Sequence, residues 1–206
     1  MKDVKSPSGS LRAERATITR RRIEQTARTL FAARGYGATT LREIADEAGV
    51  AVQTVYAIYG SKANILRALS QALSDDPGAD AAYGAALVAS DTHEALARFA
   101  HSIRLRWESG HDIVAISTDA ASIDPAIRTE TERLLARRRA GIANLVRSMA
   151  TRDLSFGDEP RAVAVIDSLT LPALFGQFVT IHGWTADTYE EWLAVALTRL
   201  VKDECA

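Results

Sequence analysis

A chain of 206 residues, 47% hydrophobic and 25% charged, has apolar material enough for a folded core, and its one cysteine, Cys205, excludes an internal disulfide framework or a cysteine-based zinc site. No charge-free apolar run reaches the roughly eighteen residues of a membrane span, and the first ten residues lack the apolar block of a signal peptide, so a soluble cytoplasmic protein with no membrane partner is expected. The net charge of -1 hides a division: residues 1–70 hold 12 Lys and Arg against 6 Asp and Glu, while residues 71–206 hold 13 against 20, leaving a head of +6 on a body of -7.

Residues 1–18, rich in Lys, Arg, Ser and Ala with Pro7 and Gly9, show no sustained apolar period and read as a disordered basic tail. Ile23, Ala27, Leu30 and Phe31 then recur at helical spacing, and Gly35 stands where a left-handed cap is wanted, which predicts a helix over 19–34. Thr40 and Glu43 form a capping box for a second helix that stops at Gly49. A short third helix is expected over 51–58, and the Ser61 hydroxyl is placed to cap a fourth over 62–73.

The stretch 74–91, with Asp75-Asp76-Pro77-Gly78, breaks the periodicity and divides a head, 19–70, from a body, 71–206. In the body, Leu96, Phe99, Ile103 and Trp107 mark an amphipathic helix, and Ile113, Val114 and Ile116 a shorter one. Asp124-Pro125 opens a long element whose run of arginines, 137–139, reads as a solvated face. The segment 159–182 is apolar nearly all round, with a bend predicted at Pro172 and an end at Gly183. A last helix over 187–202 starts on a second possible box, Asp187 to Glu190. No strand pattern competes, so the chain reads as all-α, with roughly nine helices.

Helix, Gly-Val turn and short helix over 40–58 make a helix-turn-helix, whose second helix enters the major groove of double-stranded DNA. A generic bundle corner has the same apolar spacing, so the exposed residues decide. Val52, Gln53, Thr54 and Tyr56 cannot all be buried on so short a helix, and their groups suit base edges and phosphates. Thr39-Thr40 and Ser61-Lys62 open helices whose free N–H groups attract phosphate. Arg20, Arg21 and Arg22 crowd what is expected to be a first helical turn, where the macrodipole disfavours cations, so a phosphate contact is expected to hold them there.

The string Arg42-Glu-Ile-Ala-Asp-Glu-Ala-Gly-Val, followed by Thr54-Val-Tyr56 and Tyr59-Gly-Ser-Lys62, resembles the DNA-binding head of the TetR family of bacterial transcriptional regulators. The resemblance runs over about residues 19–66. It implies a repressor that binds a palindromic operator as a homodimer through its last two long helices and is released by a small molecule held in the body. It further implies base reading by Val52 and Gln53, a base or phosphate contact from Arg42, and phosphate or nearby backbone contacts from Thr54, Tyr56, Tyr59 and Lys62. Two positions depart from the family pattern: Ile58 replaces a common His, and Ala51 replaces the usual Ser or Thr cap, a loss of about 1 kcal/mol of local helix stability.

For the effector, Phe99, Ile103, Trp107, Met149, Phe175 and Phe178 are the candidate pocket lining. For the dimer, Leu174, Phe178, Tyr189, Trp192, Leu193 and Leu200 are the candidate interface, since so apolar a pair of helices needs a partner. The histidines have no metal-site spacing, and neither a metal nor a cofactor is expected. Control by a protein partner is the alternative reading. An all-helical enzyme using His101, Asp119 and Asp167 is the other, although no phosphate loop, nucleophile elbow or zinc-helix motif is present.

Overall fold

Helix propensity carries the first element beyond its buried part. The computed structural model describes residues 7–152 and 158–205, and the side chains of 12–152 and 158–201. In it α1 runs Pro7–Arg34, although none of residues 12–22 is buried and Ile18 is 57% exposed. Of the tail expected to be disordered over 1–18, residues 7–18 are helical, a correction, and residues 1–6 lie outside the described residues. Leu, Arg, Ala and Glu are good helix formers, and once the packed half of α1 is nucleated, extension costs little. The correction also moves Arg20, Arg21 and Arg22 to the middle of a helix, which removes the argument from the macrodipole; all three are exposed.

The rest of the head follows its caps. The box at α2 (Leu41–Glu47) is formed, with Thr40 N–H donating to Glu43 at 2.8 Å and Glu43 N–H to the Thr40 hydroxyl at 3.2 Å. Gly49, at φ 61, turns the chain into α3 (Val52–Tyr59), whose first residues have no side-chain cap at Ala51. Ser61 caps α4 (Lys62–Ser74) by accepting from Asn64 N–H. Ile23, Phe31, Ile44, Val55 and Ile65 meet in the core of the head.

The region 74–91 is less broken than its composition suggests: Asp76 caps α5 (Pro77–Leu87), with Pro77 in the first turn. The two helices expected around Trp107 and Ile113 are present and meet at a kink, where Gly110 is non-helical at φ -179 and ψ 43; together they form α6 (Thr92–Ile123). Asp124 caps α7 (Pro125–Ala150), as its Asp-Pro start predicts. The apolar segment is divided into α8 (Glu159–Leu169) and α9 (Pro172–Phe175), which continues as a π-helical stretch, Gly176–Ile181, ending near Gly183 at φ 71. The last helix, α10, is Ala186–Cys205, and the Thr185 hydroxyl, not Asp187, accepts from its first turn, at 3.0 Å from Thr188 N.

Helix α6 is the axis of the molecule: α4, α5, α7, α9 and α10 all pack on it, and its C-terminal half meets α1. Head and body are tied there by three groups. Arg28 of α1 grips Asp112 through both nitrogens at 2.8 and 2.5 Å, the Tyr36 hydroxyl donates to Asp124 at 2.9 Å, and α4 enters the body directly. Burial disfavours the Asp112 carboxylate, but the Arg28 hydrogen bonds and charge outweigh it and lower its pKa.

Candidate nucleic-acid interface and body cavity

Helix α3 divides its residues by face. Val55 and Tyr59, one turn apart, are buried at 0% and 7% exposure, which leaves Gln53, Tyr56 and Ala57 facing solvent. Tyr56, 56% exposed, spends its ring on water, a placement that folding alone does not favour. Val52 and Thr54 are half-buried at its edges, and Thr40 and Arg42 extend the exposed surface from α2. Of the expected interface, Thr40, Arg42, Gln53 and Tyr56 are thus exposed, and Val52 and Thr54 half-buried.

Three other residues of the expected interface have internal work. Thr39 is 1% exposed, and its hydroxyl donates to Gly35 O at 2.9 Å. The Tyr59 hydroxyl donates to the Glu24 carboxylate at 2.8 Å; burial, then that neighbour, raises its pKa, so it stays a donor. The Lys62 ammonium lies 4.3 Å from the Tyr36 ring centroid and donates to the carbonyls of Tyr36, Gly37 and Thr39, at 2.6, 3.3 and 3.0 Å. It thereby locks the loop between α1 and α2, a use of the charge that sequence spacing does not reveal.

The body holds a cavity of about 610 Å³ between α4, α5, α6, α7 and α9, within the size range of small-molecule sites. Phe99, Ile103 and Trp107 line it as expected. Met149, Phe175 and Phe178 do not. Met149 is wholly buried in the core, Phe175 packs edge-on against Tyr189, and Phe178 stacks with Trp184 and Trp192 at 4.4 and 4.5 Å between centroids. Aromatic periodicity marks an inward face without saying which inward residues meet an empty space.

The polar lining is what the sequence reading missed. Arg106 of α6 donates to the carbonyls of Leu73 and Ser74 at 2.9 and 2.7 Å, and to Asp80 of α5 at 2.8 Å. It thus satisfies last-turn carbonyls of α4, the helix that leads to the head. The run 137–139 is no simple solvated face: Arg137 and Arg138 line the cavity, and Arg138 pairs with Asp167 and donates to the Thr170 hydroxyl at 2.6 Å. Burial, and then the neighbouring Arg139, pulls the Arg138 pKa down to about 10, so it remains charged at neutral pH. A signal was available, since three consecutive helical residues point about 100° apart and cannot share one face.

The apolar segment presents much of its surface outward. By length and composition Glu159–Ile181 would suffice to cross a membrane, and little of it is buried, but its helix is interrupted at Thr170 and Leu171. Of the expected dimer residues, Tyr189 and Leu193 are 0% exposed and belong to the core of one chain, whereas Leu174, Phe178 and Trp192 are half-buried and Leu200 is 36% exposed. The residues suggested for catalysis are not brought together as a unit: His101 pairs with Glu190 at 2.9 Å, and Asp167 with Arg138 and Arg139.

Residues 23–69 match the model of the family described as bacterial regulatory proteins, tetR family. No curated protein matches the chain. Among solved structures the fold is shared with PfmR, a TetR family transcriptional regulator from Thermus thermophilus, at 24% identity over 89% of this chain and 99% of that one, TM-score 0.67. It is shared with the fatty acid degradation regulator FadR from Bacillus halodurans at 16% identity, over 99% of this chain and 100% of that one, TM-score 0.71. A bacterial regulatory protein in the tetR family from Rhodococcus is similar at 23% identity, covering 91% and 98%, TM-score 0.66. These relatives are named as regulators, not enzymes.

Proposed function

We propose that this chain, with its tetR-family head and a TetR-like helical body, is a repressor that binds a palindromic operator as a homodimer and is released by a small molecule in the body cavity. The observation that carries the reading is the course of α4: its capped N-terminus follows α3 directly, through Gly60 and Ser61, and its last residues, Leu73 and Ser74, line the cavity. A ligand that displaces that wall changes the spacing of two heads, which must enter major grooves roughly 34 Å apart.

In this reading Gln53 and Val52 meet base edges, and Thr40, Arg42, Thr54 and Tyr56 take backbone phosphates. Thr39, Tyr59 and Lys62 hold that surface in shape from behind. The partners are double-stranded DNA, a second copy of the chain and a small-molecule effector, and the place of work is the cytoplasm. The outward apolar face of α8, α9 and α10 supports the homodimer, because a soluble chain rarely leaves so large an apolar patch uncovered.

Selection of bound fragments from a random DNA pool by the purified protein, at moderate salt, tests the reading. A palindromic motif is expected. Binding only at low salt, with no enriched sequence, would mean attraction between a basic head and any polyanion, and would overturn it.

A further inference from the structure

We infer that the free half of α1, residues 12–22, is a second DNA-binding element, which holds the backbone of duplex DNA flanking each operator half-site. The inference rests on the operator reading above and adds to it a contact outside the helix-turn-helix.

The charge of the head does not lie in its helix-turn-helix. Residues 23–70 hold 5 Lys and Arg against 4 Asp and Glu, an excess of one, whereas residues 7–22 hold Arg12, Arg15, Arg20, Arg21 and Arg22 against Glu14 alone, an excess of four. Most cations of the folded head are also engaged: Arg28 pairs with Asp112 and Arg34 with Glu43, Lys62 donates to loop carbonyls, and Arg67 donates to Asn64. Arg12, Arg15, Arg20 and Arg21 are exposed, and their side chains have no hydrogen-bond or ion-pair partner among the described residues.

The course of α1 places these groups. Arg28 ties α1 to the body through Asp112 and the Ser109 carbonyl. About two turns earlier the Arg20 carbonyl accepts from the Tyr59 hydroxyl of α3 at 3.5 Å, and Arg22 donates to the Gly49 carbonyl, in the turn before α3, at 3.4 Å. The helix continues past both contacts, so its free half projects from the head on the side away from the body, the side left open for DNA. Residues 7–22 span roughly 24 Å, enough to reach backbone several base-pair steps outside a half-site. Arg12, Arg15 and Arg22, spaced by three and seven residues, share one face, and the contact from Arg22 to Gly49 makes that face continuous with the helix-turn-helix. Ile18 is the one large apolar side chain over 12–22, so a protein partner would find almost nothing to anchor on, whereas arginines on a polyanion gain from the counterions they displace.

The test uses the full chain and the palindrome selected from the random pool, as a duplex trimmed to the palindrome and as one extended by about ten base pairs on each side. The wild-type protein is expected to bind the longer duplex about tenfold or more tighter at low salt. Arg12→Gln combined with Arg15→Gln, at exposed positions where Gln keeps helix propensity, is expected to melt as the wild type does and to bind the two duplexes alike. Its salt slope on the longer duplex is expected to fall by roughly 3–4, for two arginines in each of two copies. Arg12→Lys combined with Arg15→Lys is expected to keep the preference, because a phosphate accepts a point charge. Equal wild-type binding to both duplexes, or a Gln variant with the wild-type preference and slope, would overturn the inference and leave the operator reading standing. A Gln variant that changes self-association by sedimentation but not DNA affinity would overturn it in favour of an acidic protein surface. A pool with no enriched sequence would sink the operator reading, and the inference with it.

Discussion

Lys62 shows how one residue type at one motif position can serve two purposes. Its ammonium satisfies three carbonyls and lies over an aromatic ring, so Lys62→Ala is expected to cost about 1–3 kcal/mol of stability, read by urea unfolding. Arg42→Ala removes an exposed side chain and is expected to leave stability within about 0.5 kcal/mol while weakening binding to all DNA sequences and flattening the salt slope. Gln53→Ala is expected to alter which bases are preferred. If Lys62→Ala leaves stability untouched, the internal role assigned to it is wrong. A pH dependence belongs to this scale too. Glu94 accepts from the Ser90 N–H and hydroxyl and from Arg98, in that order of effect, and its pKa falls from 4.5 to about 2. A carboxylate depressed by folding stabilises above its unfolded pKa and loses that contribution as pH falls through the folded value. Stability of the wild-type protein is therefore expected to drop between pH 4.5 and about 2 more steeply than that of Glu94→Gln, as followed by circular dichroism.

At the scale of elements, what was legible in the sequence was local chemistry. The Thr40 box, the Ser61 cap, Gly49 in the turn and Asp124-Pro125 at a helix start each act over about one turn, and each is formed. Boundaries that depend on distant packing were not legible. The extension of α1 back to Pro7 follows from propensity, since none of residues 12–22 is buried, whereas the break between Trp107 and Ile113 was legible and is formed, as a kink at the non-helical Gly110. At Gly110 an added Cβ would lie 2.7 Å from Ile113 Cδ1 of the same helix and 3.3 Å from Leu73 Cδ1 of α4, so a side chain there would require those two methyl groups to shift. The polar end of the cavity was equally hidden, since Arg106 acquires meaning only when α4 and α5 are packed beside α6. That contact makes a prediction. Arg106→Gln withdraws the charged donor from the α4 carbonyls, and is expected to lower operator affinity in the absence of any effector and to shrink the further drop that an effector causes. An operator affinity and effector response equal to wild type, by fluorescence anisotropy, would show that α4 does not depend on this tie.

At the scale of the whole molecule, the body leaves several large apolar side chains uncovered. The segment Glu159–Ile181 and helix α10 leave Ile181 at 67%, Val195 at 49% and Leu200 at 36% exposure, while Tyr189 and Leu193 beneath them are fully covered. The covered residues hold one chain together, and in the homodimer proposed above the uncovered ones are what a second copy would meet. An isologous interface of standard size, about 1,600 Å², would hide them, and a charge placed in the middle of each copy's patch is then met by its own image across the two-fold axis. Ile181→Glu combined with Val195→Glu is expected to convert the dimer to a monomer by sedimentation while the melting temperature of the chain changes little, because both side chains already face water in the single chain. The same variant is expected to lose roughly 100-fold or more in operator affinity, since two linked heads gain from effective concentration what one head cannot. A double variant that remains dimeric would locate the interface elsewhere; one that becomes monomeric yet keeps its operator affinity would show that a single head suffices, and that the spacing of two heads is not what an effector controls.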